Sequence, residues 1–226
     1  MAEKLSKKEL KSPDAFQTTF ERMGDYVLEN KSRVMVVSAA LVCAFVLAMG
    51  IYLYWTSYTN SSLKLYAKAQ DNVSTNGENK EIINENVKIY QELIDRYSHS
   101  PSGRMAYYHL GNVYYQKGEM DKAIGSYEKF VSKTGSDRTG VEFLALTSIG
   151  YAYEAKKDYA KALKYFEKAQ KVYSVGFESI AFRNLGRASE ELNNKAKALE
   201  YYKKALEKTS EPSATIFIKR KISALS

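Results

Sequence analysis

The chain has 226 residues, 45% of them hydrophobic and 27% charged, with 12 glycines and 3 prolines; this excludes a wholly disordered protein and favours long uninterrupted helices, so an all-α fold is expected. Its formal net charge of +8 comes from 34 basic and 26 acidic residues whose signs are interleaved, Lys219-Arg220-Lys221 being a short exception. That pattern describes solvated helix surfaces rather than a nucleic-acid site, and leaves room for a mild attraction to anionic lipid headgroups.

Ser12-Pro13-Asp14 has the order of a helix start, with Ser as N-cap, Pro at the first helical position and an acid in the first turn. Phe16, Phe20, Met23 and Val27 then share one stripe, so an amphipathic helix ending near Asn30 is expected within an arm of residues 1–33. Its nearly balanced charge favours docking on a protein over lying on the membrane surface.

Val34 to Trp55 is a run of 22 residues without a charge, about 33 Å long as a helix and thus near the thickness of a bilayer's hydrocarbon core. Lys31 and Arg33 precede it, and Tyr52, Tyr54, Trp55 and Tyr58 gather at its far end, where amphipathic rings prefer the interface. A transmembrane helix over 34–55 is expected, uncleaved because the polar arm before it is too long for a signal peptide. Seven basic residues precede the span, whereas Lys64 and Lys68, then Lys80 and Lys88, follow it in a comparable stretch; the N-terminus is expected inside and the remainder outside, the periplasm in a bacterium. Ala40, Ala44 and Ala48 recur every four residues and would let a partner's transmembrane helix approach closely. The single cysteine, Cys43, lies within this run, so no intramolecular disulfide forms.

Beyond a polar loop at 72–80 the chain is self-similar. Tyr107-x2-Leu110-Gly111-x2-Tyr114, Leu146-x2-Ile149-Gly150-x2-Tyr153 and Phe182-x2-Leu185-Gly186-x2-Ser189 are each followed by a second signature, Ala123 with Tyr127, Ala162 with Phe166, and Ala198 with Tyr202. Small residues let two helices cross closely, and a large residue from the neighbour fills the adjoining gap. Short polar turns at 117–121, 156–159 and 193–195 separate the helices of each pair. The expected domain, 56–226, holds a worn first repeat at about 63–101 (helices 63–73 and 84–97), three clear repeats at about 104–137, 143–176 and 179–212, and a capping helix at 214–225.

On these motifs, with glycines near the family's spacing, the chain resembles tetratricopeptide-repeat proteins over roughly Leu63 to Leu225; the resemblance implies a right-handed α-solenoid whose groove is lined by the first helix of each pair. Carried over by position, the groove residues are Met105, Tyr108, Asn112 and Tyr115, then Leu144, Thr147 and Tyr151, then Ile180, Arg183 and Arg187. Tyr and Arg are the types that anchor interfaces, though the tyrosines also serve as packing residues. The family's carboxylate clamp is matched by Asn112 alone, with Tyr108, Ser148, Ile180 and Asn184 at the other positions, so a chaperone's C-terminal peptide is not the expected ligand.

Catalysis finds no support: His99 and His109 have no cysteine nearby, no phosphate-binding glycine loop occurs, and Glu190-Glu191 reads as a solvated helix end. No cofactor or metal is expected. The arrangement of arm, span and repeats resembles the YfgM-like ancillary subunits of the bacterial SecYEG translocon. That resemblance implies a protein of the inner membrane that escorts newly exported, unfolded chains beside SecYEG and a PpiD-like periplasmic chaperone. An envelope-assembly or division scaffold of the CpoB or BamD kind stays open, while an enzyme or nucleic-acid-binding membrane protein is disfavoured.

Overall fold

The computed structural model describes residues 15–76, 79–134, 139–172 and 175–226. The expected N-cap at Ser12-Pro13-Asp14, the side chains of Phe16 and Phe20, and residues 135–138 of the turn between the second and third repeats lie outside the described residues. The chain forms two compact units, Met1–Thr56 and Ser57–Ser226.

In the first unit, α1 runs from Ala15 to Glu29 and α2 begins at Lys31. The Asn30 amide donates to the Tyr26 carbonyl and the Val34 amide to the Asn30 carbonyl, both at 3.0 Å. The i to i−4 ladder therefore crosses the one-residue interruption at Asn30. Val36, Leu41, Phe45, Leu47 and Ile51 are 66–69% exposed. Such side chains in water would forfeit the main stabilising term of folding. Ala40, Ala44 and Ala48 are exposed as well. By length and composition α2 is a membrane-span candidate, with an 18-residue stretch of mean hydropathy 2.7.

α2 continues to Asn76, so the separate helix expected at 63–73 is the last part of one long helix. Between Ile51 and Asn76 there is neither glycine nor proline, and nothing local ends it. Then follow α3 (Lys80–Arg96), α4 (Pro101–Gln116), α5 (Met120–Thr134), α6 (Val141–Ala155), α7 (Tyr159–Lys171), α8 (Glu178–Glu191), α9 (Lys195–Lys208) and α10 (Pro212–Leu225). From α3 onward each helix packs on its neighbours in chain order. The second unit is thus a row of helix pairs, α2 with α3, α4 with α5, α6 with α7 and α8 with α9, followed by α10.

α3 starts four residues before the expected Asn84 because Asn79 caps it, its side chain accepting from the Glu81 amide. The turns inside the three later pairs share one construction. Gly118, Lys157 and Asn193 have φ of +75°, +60° and +59°. The amide of the next residue closes on the helix just ended, Glu119 on Tyr114, Asp158 on Tyr153 and Asn194 on Ser189, each at 2.9 Å. This is a left-handed helix terminus. Asp158 and Asn194 then cap the following helix by accepting from the Lys161 and Lys197 amides.

The pairs are locked by one device. A Cβ placed on Gly111 would come within 2.5 Å of the Tyr127 ring, on Gly150 within 2.3 Å of Phe166, and on Gly186 within 2.9 Å of Tyr202. Each ring occupies the space of the missing side chain, and all three are 2% exposed or less. Every such residue belongs to a buried cluster shared by adjacent helices.

Candidate protein-binding groove

The first helices of successive pairs lie side by side, joined by hydrogen bonds across pair boundaries. Tyr66 on α2 bonds His109 on α4 at 2.7 Å. Tyr151 on α6 donates to Asn184 on α8 at 3.2 Å. Arg187 on α8 grips Glu154 on α6 through Nε at 3.0 Å and Nη2 at 2.7 Å, a two-pronged, charge-assisted contact. Lys221 on α10 reaches both carboxylate oxygens of Glu190 on α8 at 2.9 Å. The last two contacts repeat one theme, since Glu154 and Glu190 stand four residues after Gly150 and Gly186.

The ten residues expected to line the groove all lie on α4, α6 and α8, and their surroundings divide them. Met105, Tyr108, Tyr115, Leu144 and Ile180 are half-buried, their apolar parts packed on neighbouring clusters. Asn112 accepts from the Tyr127 hydroxyl at 2.8 Å. The Tyr151 ring meets Phe166 edge-on at 5.5 Å, with the Arg187 guanidinium 5.3 Å from its centre. Thr147 is only 5% exposed, with no protein partner for its hydroxyl; it lies in the packing and offers no surface. Arg183 makes no ion pair among the described residues and is the uncommitted cation of the set.

Burial shapes the titration of this region. Desolvation pushes Tyr90 up to about 12, and raises Tyr127 and Tyr202, the latter also through its bond to Glu190. His109 is drawn down to about 4 by desolvation. It stacks on Tyr90 at 5.6 Å and meets Tyr66 and Tyr108 edge-on at 5.5 and 5.4 Å. At Arg187, burial is the largest single influence and opposes the charge, while the bond to Glu154, its negative charge and the Tyr151 hydroxyl together outweigh it and raise the pKa. The site is therefore a hydrogen-bonded aromatic surface in which most polar groups already have partners.

Three of these roles escape a linear reading. Glu190, expected as a solvated helix end, accepts from Tyr202 at 2.9 Å and from Lys221. His109, weighed in the sequence as a possible catalytic or metal-binding group, hydrogen-bonds Tyr66 and so helps join α4 to α2. Glu154 carries no role in the sequence reading, although its register after Gly150 matches that of Glu190.

A second kind of hollow lies between the second helices of successive pairs. A cavity of about 520 Å³ is lined by Val131, Leu146, Ile149, Tyr165 and Lys168, among others. Another of about 370 Å³, one repeat earlier, is lined by Ile94, Tyr107, Leu110, Ser126 and Lys129 at the matching positions. Among the described residues no cluster of three or more His, Cys, Asp or Glu is arranged to hold a metal.

Two family models described as tetratricopeptide repeat match the chain, one over residues 87–138 and the other over 142–209. The chain is a tetratricopeptide-repeat protein. Among solved structures, this tetratricopeptide-repeat chain is similar to MamA, at 19% identity and a TM-score of 0.57 over 74% of this chain and 81% of that one. A second MamA structure gives 20% identity and 0.52 over 65% and 78%. PilF of Pseudomonas aeruginosa gives 19% identity and 0.55 over 75% and 69%. At these identities the likeness concerns the fold. Among curated proteins none matches the chain.

Proposed function

We propose that this tetratricopeptide-repeat protein is a membrane-anchored adaptor that binds other proteins. In this reading residues 34–55 cross a bacterial inner membrane, residues 1–33 remain in the cytoplasm, and the domain of 56–226 works in the periplasm. Its partners are newly exported chains beside a SecYEG-type translocon and a membrane-bound chaperone, as the likeness to YfgM-like subunits implies. The observation that carries the binding role is the alignment of α4, α6 and α8, which presents Met105, Tyr108, Tyr115, Leu144 and Ile180 half-buried beside the uncommitted Arg183. Large rings with a polar edge, held in place by their neighbours, lose little conformational freedom when a partner binds. The exposed apolar faces of α2 support the anchor, and the basic residues before it support the orientation.

Photo-crosslinkers at Tyr115 and Arg183 in cells test the reading. Recovery of translocon subunits, a periplasmic chaperone and nascent exported chains is the expected result. Recovery of only envelope-assembly or division proteins moves the role to a scaffold. Protection of the repeat domain from protease added to the periplasmic side overturns the orientation.

A further inference from the structure

The charge that is interleaved along the sequence is sorted by helix. α3 and α4 together carry four basic and four acidic residues. α7, α9 and α10 carry twelve basic and three acidic ones, so these helices account for the whole positive balance of a chain whose net charge is +8. They adjoin one another. Tyr201 of α9 packs with Leu163 of α7 in one cluster, while Ala214 and Ile218 of α10 pack on Ala198 and Tyr202 of α9. Lys161, Lys204 and Lys221 are held by Asp158, Glu200 and Glu190. Lys164, Lys171, Lys203, Lys208, Lys219 and Arg220 are exposed and make no ion pair among the described residues. On α10 the exposed pair Ile216 and Phe217, at 62% and 43%, precedes Lys219 and Arg220 with only the buried Ile218 between them.

We propose that the surface of α7, α9 and α10 docks on an anionic lipid surface, the lysines over the headgroups and Ile216 with Phe217 entering the boundary with the acyl chains. The chemistry selects lipid over an acidic protein or nucleic acid. The free cations are almost all lysines, flexible point charges spread over three helices without the arginine forks that read a fixed carboxylate or phosphate geometry. A diffuse lysine layer suits a mobile sheet of negative charge, where each cation adds its own increment. Exposed Phe and Ile beside basic residues on a helix add the apolar part of interfacial binding. The inference rests on the anchor reading in one respect: a tether holds the domain near headgroups and raises their effective concentration.

The test uses the full chain with Cys43→Ser and Ser223→Cys, the latter on exposed α10, carrying an environment-sensitive fluorophore. It is reconstituted into vesicles of neutral phosphatidylcholine, or of the same lipid with about one third phosphatidylglycerol, each with a headgroup quencher. Quenching should be strong in the anionic vesicles, weak in the neutral ones, and abolished by about 0.5 M salt. Replacing Lys164, Lys171, Lys203 and Lys208 by Glu, all solvent-exposed, should cut the docked population about tenfold or more. Phe217→Ser should weaken it with the salt dependence retained. Equal quenching in both lipids, insensitivity to salt, or a stronger response to soluble polyglutamate than to anionic vesicles overturns the proposal. Flotation of the same samples separates the two readings: failure to float with neutral vesicles removes the anchor, whereas flotation without charge-dependent quenching removes only the docking surface.

Discussion

Two glycines, Gly50 and Gly150, each sit inside a helix and meet opposite surroundings. A Cβ on Gly50 would touch nothing within 4 Å, whereas one on Gly150 would lie 2.3 Å from the Phe166 ring. The first belongs to a stretch whose large apolar side chains face outward, the second to a pair of helices closed ring against backbone. Hydrophobicity alone does not tell these regions apart; which partner covers the apolar surface does.

Gly150→Val offers the widest break in this comparison. It should destabilise the repeat domain by about 3 kcal/mol or more, because Phe166 must leave its place. Gly50→Val should leave the denaturant midpoint of that domain unchanged. Equal effects at the two positions would mean that the lock is not where the stability lies.

Acid should act next most strongly, through His109. Its pKa falls from the ordinary imidazole value of about 6.5 to about 4 on folding through burial, so between these values the unfolded chain binds more protons than the folded one. Stability is then complete above about pH 6.5, declines as pH falls toward about 4, and loses about 3 kcal/mol in all. Unfolding of the wild type and of His109→Phe across this range checks it: the variant should lose most of the slope.

The pair of Glu154 and Arg187 tests the contacts between repeats. Glu154→Gln should cost about 1 kcal/mol, since the guanidinium keeps partial access to water and stays over Tyr151. A double-mutant cycle with Arg187→Gln should return most of that as coupling. The smallest effect expected is a gain. Lys157 holds φ at +60° where Gly118 holds +75° in the preceding pair, so Lys157→Gly should stabilise the domain by about 0.5–1 kcal/mol in thermal unfolding.

Much of this architecture was legible in the chain because its determinants are local or periodic. The glycine signatures, the polar turns at 156–159 and 193–195 and the charge-free run at 34–55 each act within a few turns of helix, although the capping roles of Asp158 and Asn194 within those turns were not read from the chain. Thr147 shows the limit: position alone puts it on the groove, yet it is only 5% exposed. The bond between Arg187 and Glu154 joins residues 33 positions apart, and no helical period announces it. Likewise, the sorting of charge emerges only when helices of alternate rank are set beside each other. The continuous run of α2 to Asn76 was hidden for another reason, that a drop in hydropathy reads as a boundary although nothing there breaks a helix.

Each ring-and-glycine lock closes within its own pair, so a unit could be duplicated or deleted without leaving a knob unmatched. The contacts between Glu154 and Arg187 and between Glu190 and Lys221 are made across pair boundaries and depend on who stands next. The domain thus separates the grammar of a single unit from the order of units: the first sets how any pair folds, the second which pair follows which. A chain built in this way can change its length readily and its sequence of surfaces only at particular joints.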